Sequence, residues 1–114
     1  MCAVSLAFFM LCPVEITWYD PELGGINCNS DCSTIGFSTP LLDEHYGKVL
    51  ACPIEFYGAT FHIRGSKDGL ADGEFLCLDG GSAMVIRGGV IRVDLLSRSP
   101  VWRETLTAIV EVRR

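Results

Sequence analysis

No apolar stretch in this 114-residue sequence is long enough to cross a bilayer as a helix. The longest, CAVSLAFFMLCPV at residues 2–14, is interrupted only by Ser5, whereas a spanning helix takes about 20 apolar residues. Positive charge is also scarce. Nine Lys and Arg face 14 Asp and Glu, for a net charge of −5, and the basic residues are scattered rather than gathered in a stripe. A nucleic-acid partner is therefore not expected. No heptad, no long 3.6-residue period and no internal repeat is present, which argues against a coiled coil or a repeat array. Histidine is nearly absent: His45 and His62 stand apart from the close cysteine pair, so a zinc site is poorly supplied and no cofactor is expected.

What remains is a turn-rich globular chain, 49% apolar and 20% charged, with 12 glycines and five prolines. Its length fits one domain and one hydrophobic core. Six cysteines, at 2, 12, 28, 32, 52 and 77, predict disulfides in an oxidising compartment, with buried free thiols as the alternative. Cys28, Cys32, Cys52 and Cys77 are the expected partners, because Cys2 and Cys12 lie in the separate apolar stretch. Residues 1–14 resemble the apolar core of a signal peptide but lack its preceding basic residues and a small-x-small site. If retained, such a segment must be buried, as a contact with a neighbouring subunit or as an extra strand. The domain proper is expected over 15–114.

Residues 14–20, VEITWYD, alternate and are β-branched or aromatic, which predicts a strand ending at Asp20-Pro21. Further strands are predicted at 48–52, 59–65, 74–79, 82–86, 90–96 and 105–113. SKDGLADGE at 66–74 reads as a hairpin tip, with Asp-Gly twice supplying positive φ, and Gly80-Gly81 and Gly88-Gly89 read as turns. One helical turn is predicted over 99–106, with Ser99 as N-cap and Pro100 at the first helical position. Six or seven strands in so small a domain imply a barrel or sandwich, all-β, with long loops and at most short helical turns.

Two acids stand out. Asp79 ends one strand just before Gly80-Gly81, and Asp94 lies inside the apolar strand between Val93 and Leu95. An acid in the latter setting is costly unless it is hydrogen-bonded or lines a cleft. Burial would raise its pKa and a nearby like charge would raise one of the pair further, which suits a general acid. The alternative is that Asp94 faces solvent or pairs with Arg92 or Arg98. His62, between Phe61 and Ile63, reads as a satisfied wall residue rather than a base.

Asp79-Gly-Gly-Ser-Ala-Met, the Gly88-Gly89 turn and Ile91-Arg-Val-Asp94 together resemble the aspartate-bearing motif of the 3D domain, a family named for three aspartates. Val49-Leu-Ala-Cys-Pro53, Phe56-Tyr-Gly-Ala-Thr60-Phe-His-Ile63, Thr17-Trp18-Tyr19 and Gly36 resemble its upstream motifs more weakly. The resemblance implies a double-psi β-barrel related to the lytic transglycosylase A barrel, with a groove for peptidoglycan glycan strands. It implies cleavage of the MurNAc–GlcNAc bond to a 1,6-anhydro product, with Asp94 and Asp79 as the catalytic residues. Trp18, Tyr19, Lys48, Gly80, Gly81 and Ser82 are the expected substrate-binding residues. Cys52 stands where the family has its first aspartate, Ser82 replaces a glycine, and the stretch between Asp79 and Asp94 is longer than usual. Glu55 is a candidate substitute acid. The resemblance places the protein outside the cytoplasm, at a cell wall. A non-catalytic barrel that binds glycan or packs into a phage or surface assembly is the alternative expectation.

Overall fold

The structure, a computed structural model, describes residues 2–6, 8–23, 34–36, 39–81 and 84–112. Ten strands make up the described chain: β1 (Ala3–Leu6), β2 (Phe9–Tyr19), β3 (Thr34–Ile35), β4 (Thr39–Pro40), β5 (Val49–Ala51), β6 (Thr60–Ile63), β7 (Gly73–Asp79), β8 (Ile86–Arg87), β9 (Val90–Leu96) and β10 (Glu104–Glu111). Helical structure among the described residues is confined to 3-10 turns at Pro21–Leu23, Asp43–His45 and Ile54–Phe56.

Six strands close a barrel in the order β2-β10-β6-β7-β5-β9, with β9 returning to β2. Two of the pairings are parallel, β2 with β9 and β5 with β7, and the other four are antiparallel. Exchanging β2, β5 and β6 for β7, β9 and β10 leaves this pattern unchanged. The parallel pair β2–β9 maps onto β7–β5, β2–β10 maps onto β7–β6, and β5–β9 and β6–β10 map onto themselves. The barrel is thus two interlocked halves related by a pseudo-two-fold, the double-psi arrangement. β1 lies on the edge of β2 that β9 leaves vacant, and β8 does the same for β9 beyond β5.

Period-two alternation fills the interior. Cys12, Val14 and Ile16 on β2, Phe61 and Ile63 on β6, Cys77 on β7, Val93 on β9, and Ala108 and Val110 on β10 are all fully buried. Phe61 meets Phe56 edge to face, with ring centroids 5.9 Å apart. Burying a side chain of this size contributes about 2–3 kcal/mol before entropy is counted. A smaller cluster, Ile35, Val49 and Leu96 with Tyr19, Leu41, Tyr46 and Leu78 against it, lies on the outer side of the same strands. Ile35, Leu41 and Tyr46 therefore form a second layer over part of the barrel wall.

Several expectations need correction. β2 begins at Phe9, so the apolar N-terminal segment runs without a break into the barrel wall instead of ending at residue 14. Within it Cys12 sits in the core and is disulfide-bonded to Cys2, a pairing not anticipated, while Phe8 and Leu11 are exposed. Pro13, unusual within a strand, pairs with Thr107 of β10 and on its other edge falls between Leu11, where the β1 pairing ends, and Val14, where the β9 pairing begins. Cys52 is paired with Cys77, both among the four expected partners, and the other two, Cys28 and Cys32, lie outside the described residues. No helical turn forms over 99–106. Val101 is drawn into the core, and β10 starts at Glu104, where it pairs with Ile16 of β2, and gains β6 as a second partner from Ala108. Of the strand expected at 82–86, Ser82 and Ala83 lie outside the described residues; β8 is Ile86–Arg87, joined to β9 by Gly88 and Gly89 at φ 60° and 79°. Both central residues at positive φ make this a type I′ hairpin turn.

Candidate active site on the outer barrel face

Residues 75–96 do not pair strand to strand as one unit, because β5 is inserted between β7 and β9. The registers nevertheless bring the two acids into one row. Thr17 pairs with Asp94, Asp94 with Ala51, and Ala51 with Asp79. Under the pseudo-two-fold, Asp94 exchanges with Ala51 and Thr17 with Asp79, so the row runs across the symmetry centre. One strand separates the two acids, which puts their backbones about 10 Å apart.

Parity alone would turn Asp79 inward, since Cys77 is in the core. A bulge between the Leu50–Cys77 and Ala51–Asp79 pairs inserts Leu78 and re-aims the next side chain. Leu78 joins the outer apolar cluster and Asp79 reaches the loop above it. Asp79 Oδ1 accepts the N–H groups of Gly36 and Gly80, each at 2.9 Å, and Oδ2 accepts the Tyr19 hydroxyl at 2.7 Å. Gly36 is at φ 61°, and a Cβ there would stand 2.8 Å from the Leu78 carbonyl oxygen, so only glycine lets the backbone come this close. Burial, and then the Asp79 charge, hold the Tyr19 hydroxyl far above its ordinary pKa, so it acts as a permanent donor. The Asp79 carbonyl also accepts the Cys52 N–H at 3.1 Å.

Asp94 is in a different position. It is half-buried on β9, and among the described residues its carboxyl is hydrogen-bonded only by the buried Thr17 hydroxyl. Burial raises its pKa. The Thr17 hydrogen bond and the charges of Arg92 and Arg103 oppose the rise without cancelling it, and Glu15 adds to it. The like charge that contributes is thus Glu15 rather than Asp79. Neither expected arginine forms a salt bridge with Asp94. Arg92 Nε lies 3.7 Å from Glu15, and Arg98 is held by Glu22 at 2.9 Å and Asp43 at 2.6 Å.

The remaining candidates are dispersed. Trp18 packs against the core, and Tyr19 serves Asp79 and the outer cluster. Lys48 is exposed just before β5, and Glu55 is exposed on the 3-10 turn that follows Cys52. Gly80 and Gly81 are exposed after β7, and Ser82 lies outside the described residues. Cys52, tied to Cys77 in the core, offers no ionisable group. His62 is engaged by Glu111 at 3.1 Å and Glu74 at 3.4 Å, as a satisfied wall residue should be. Among the described residues no group of three or more His, Cys, Asp or Glu is placed to hold a metal ion, and no helix is long and apolar enough to cross a membrane.

Thr17 and Arg103 were missed by inspection of the sequence. Thr17 shares the outward parity of Glu15 and Tyr19, a signal visible once β2 is known to face a second layer. Arg103 carries no local signal; only the pairing of β10 with β2 brings it near. Comparison with protein-family models, with curated proteins and with solved structures finds no match.

Proposed function

We propose that the chain is a peptidoglycan-directed, lytic transglycosylase-like barrel in which Asp94 acts first as acid and then as base. The observation that carries this reading is the state of Asp94. Its carboxyl is half-buried, shifted toward the protonated form and, among the described residues, hydrogen-bonded by Thr17 alone. An acid of this kind delivers its proton to the glycosidic oxygen as the C1–O bond breaks. The resulting carboxylate then takes the proton of the sugar's own C6 hydroxyl as that oxygen bonds to C1. No water is consumed and the proton on Asp94 is restored. The two steps are sequential, so one carboxyl suffices, and the replacement of the family's first aspartate by the disulfide-bonded Cys52 does not preclude them. Asp79 holds the loop at Gly36. The Asp-Gly-Gly resemblance supports the substrate class, and the two disulfides support an extracytoplasmic site, a cell wall or surface.

Digestion of purified peptidoglycan with mass detection of muropeptides tests the proposal. Wild type should release 1,6-anhydro products, and Asp94→Asn should release them at least ~100-fold more slowly. A folded wild-type protein that releases none would overturn it.

One observation favours a second, non-catalytic reading as a glycan-binding or assembly component. Leu11 and Ile109 pair across β2 and β10 with both side chains exposed, and Phe8 is exposed beside them. Co-sedimentation with insoluble peptidoglycan without any anhydro product would favour that reading.

A further inference from the structure

Two guanidinium groups stand around Asp94, and the proton transfers assigned to Asp94 use neither. Arg92 lies two residues before Asp94 on β9 and shares its outward parity. The antiparallel register that pairs Glu104 with Ile16, continued by one residue, sets Arg103 beside Thr17, the donor to Asp94. Both charges lower the Asp94 pKa against the effect of burial, in keeping with that placement.

Neither arginine is consumed by structure in the way Arg98 is. Arg98 bridges two carboxylates at 2.9 and 2.6 Å and lies over the Tyr46 ring at 4.0 Å, which ties Glu22, Asp43 and Tyr46 together. Arg103 is exposed and has no hydrogen bond or ion pair to any described residue. Arg92 has one ion pair, Nε to Glu15 at 3.7 Å, longer than a charge-assisted hydrogen bond of about 2.7–2.9 Å. That Nε is shut away from solvent without a hydrogen-bond partner. With Asp94 protonated, Arg92, Arg103 and Glu15 leave one net positive charge beside the acid. In a chain of net charge −5 this is a local exception.

We infer that Arg92 and Arg103 form an anion subsite next to Asp94, and that the group it takes is a carboxylate carried by the glycan close to the bond being broken. The inference rests on the proposed glycan-directed reading and names which glycan the site prefers. A planar guanidinium matches a carboxylate in two-point geometry, and two of them give orientation as well as attraction. The carboxylate has two possible sources: the lactyl group bared on strands stripped of their peptides, or the stem peptide of intact strands.

Calorimetric titration of the Asp94→Asn chain, which leaves the ligand intact, tests the subsite. Three ligands of equal sugar number are compared: a chitooligosaccharide without carboxylates, a peptide-stripped glycan oligosaccharide, and its peptide-bearing counterpart. At least one carboxylate ligand should bind about tenfold or more tightly than the chitooligosaccharide, as expected for one or two charge-assisted contacts. Adding Arg103→Gln should close that gap to within about twofold, whereas Arg103→Lys should keep part of it. Arg103 is exposed, so both variants should melt with the parent. The carboxylate ligand that shows the gap identifies the source. Equal binding of all three ligands, no binding of any, or a gap that survives Arg103→Gln overturns the subsite. The outcomes separate from those of the digestion: a carboxylate preference without anhydro product sinks turnover alone, and anhydro product without a preference sinks the subsite alone.

Discussion

Asp79 and Asp94 occupy one row of the barrel wall, one strand apart, and differ in almost everything else. The Asp79 carboxyl accepts three hydrogen bonds, from Gly36, Gly80 and Tyr19, and the Cys52–Cys77 disulfide ties β5 to β7 alongside it. The Asp94 carboxyl accepts one from Thr17 among the described residues, and burial pushes it toward protonation. The same side chain thus stands as a brace in one place and, on the proposed reading, as the acid in the other. What separates them is the supply of donors: three reach Asp79, and among the described residues one reaches Asp94.

Removing the brace on the Asp79 side should have the largest effect on stability. The Cys52–Cys77 bridge spans 25 residues of sequence, so Cys52→Ser with Cys77→Ser should cost about 3–4 kcal/mol in denaturant unfolding. The 10-residue Cys2–Cys12 bridge should cost somewhat less, about 3 kcal/mol. A larger loss from the shorter bridge would show that the N-terminal strand, rather than the β5–β7 junction, anchors the barrel.

Asp79→Ala should come next, at about 2–4 kcal/mol, because it strands the Gly36 N–H and the Tyr19 hydroxyl under the second layer. The measurement is a urea melt beside that of Asp94→Ala, which should lose much less. Equal losses would erase the distinction between brace and acid.

The smallest effect concerns pH. The folded-state pKa of Asp94 is raised, so its protonated form stabilises the fold below the unfolded pKa, and that contribution is lost as pH rises through the folded value. Asp94→Asn should therefore melt above wild type at pH 7, and the difference should narrow as the buffer is taken down through the ordinary carboxylate range. A difference that widens toward acid would show that Asp94 is stabilised as an anion, which would remove it as the acid.

Much of this architecture was readable along the chain. The alternation at 59–65 and 90–96, the Asp-Gly pairs of the hairpin tip and the Gly88-Gly89 turn are local signals, and the strands and turns formed near those positions. The helical turn expected from Ser99-Pro100 did not form, because capping preferences of about 1 kcal/mol cannot compete with the β2 ladder that the chain joins at Glu104. Cys2–Cys12 went unanticipated because a disulfide needs its two Cβ atoms brought within about 4 Å, and sequence spacing does not encode that approach.

The candidate site divides along the same line. Asp94 was conspicuous in the chain as an acid between Val93 and Leu95, and Asp79 as the last residue before two glycines, because polarity and turn chemistry are properties of a few neighbouring residues. Their separation by β5, the bulge that turned Asp79 outward, and the arrival of Thr17 and Arg103 beside Asp94 were set only by barrel closure. Strand order and register depend on which distant faces bury one another. That choice alone gave one aspartate three donors and the other, among the described residues, one.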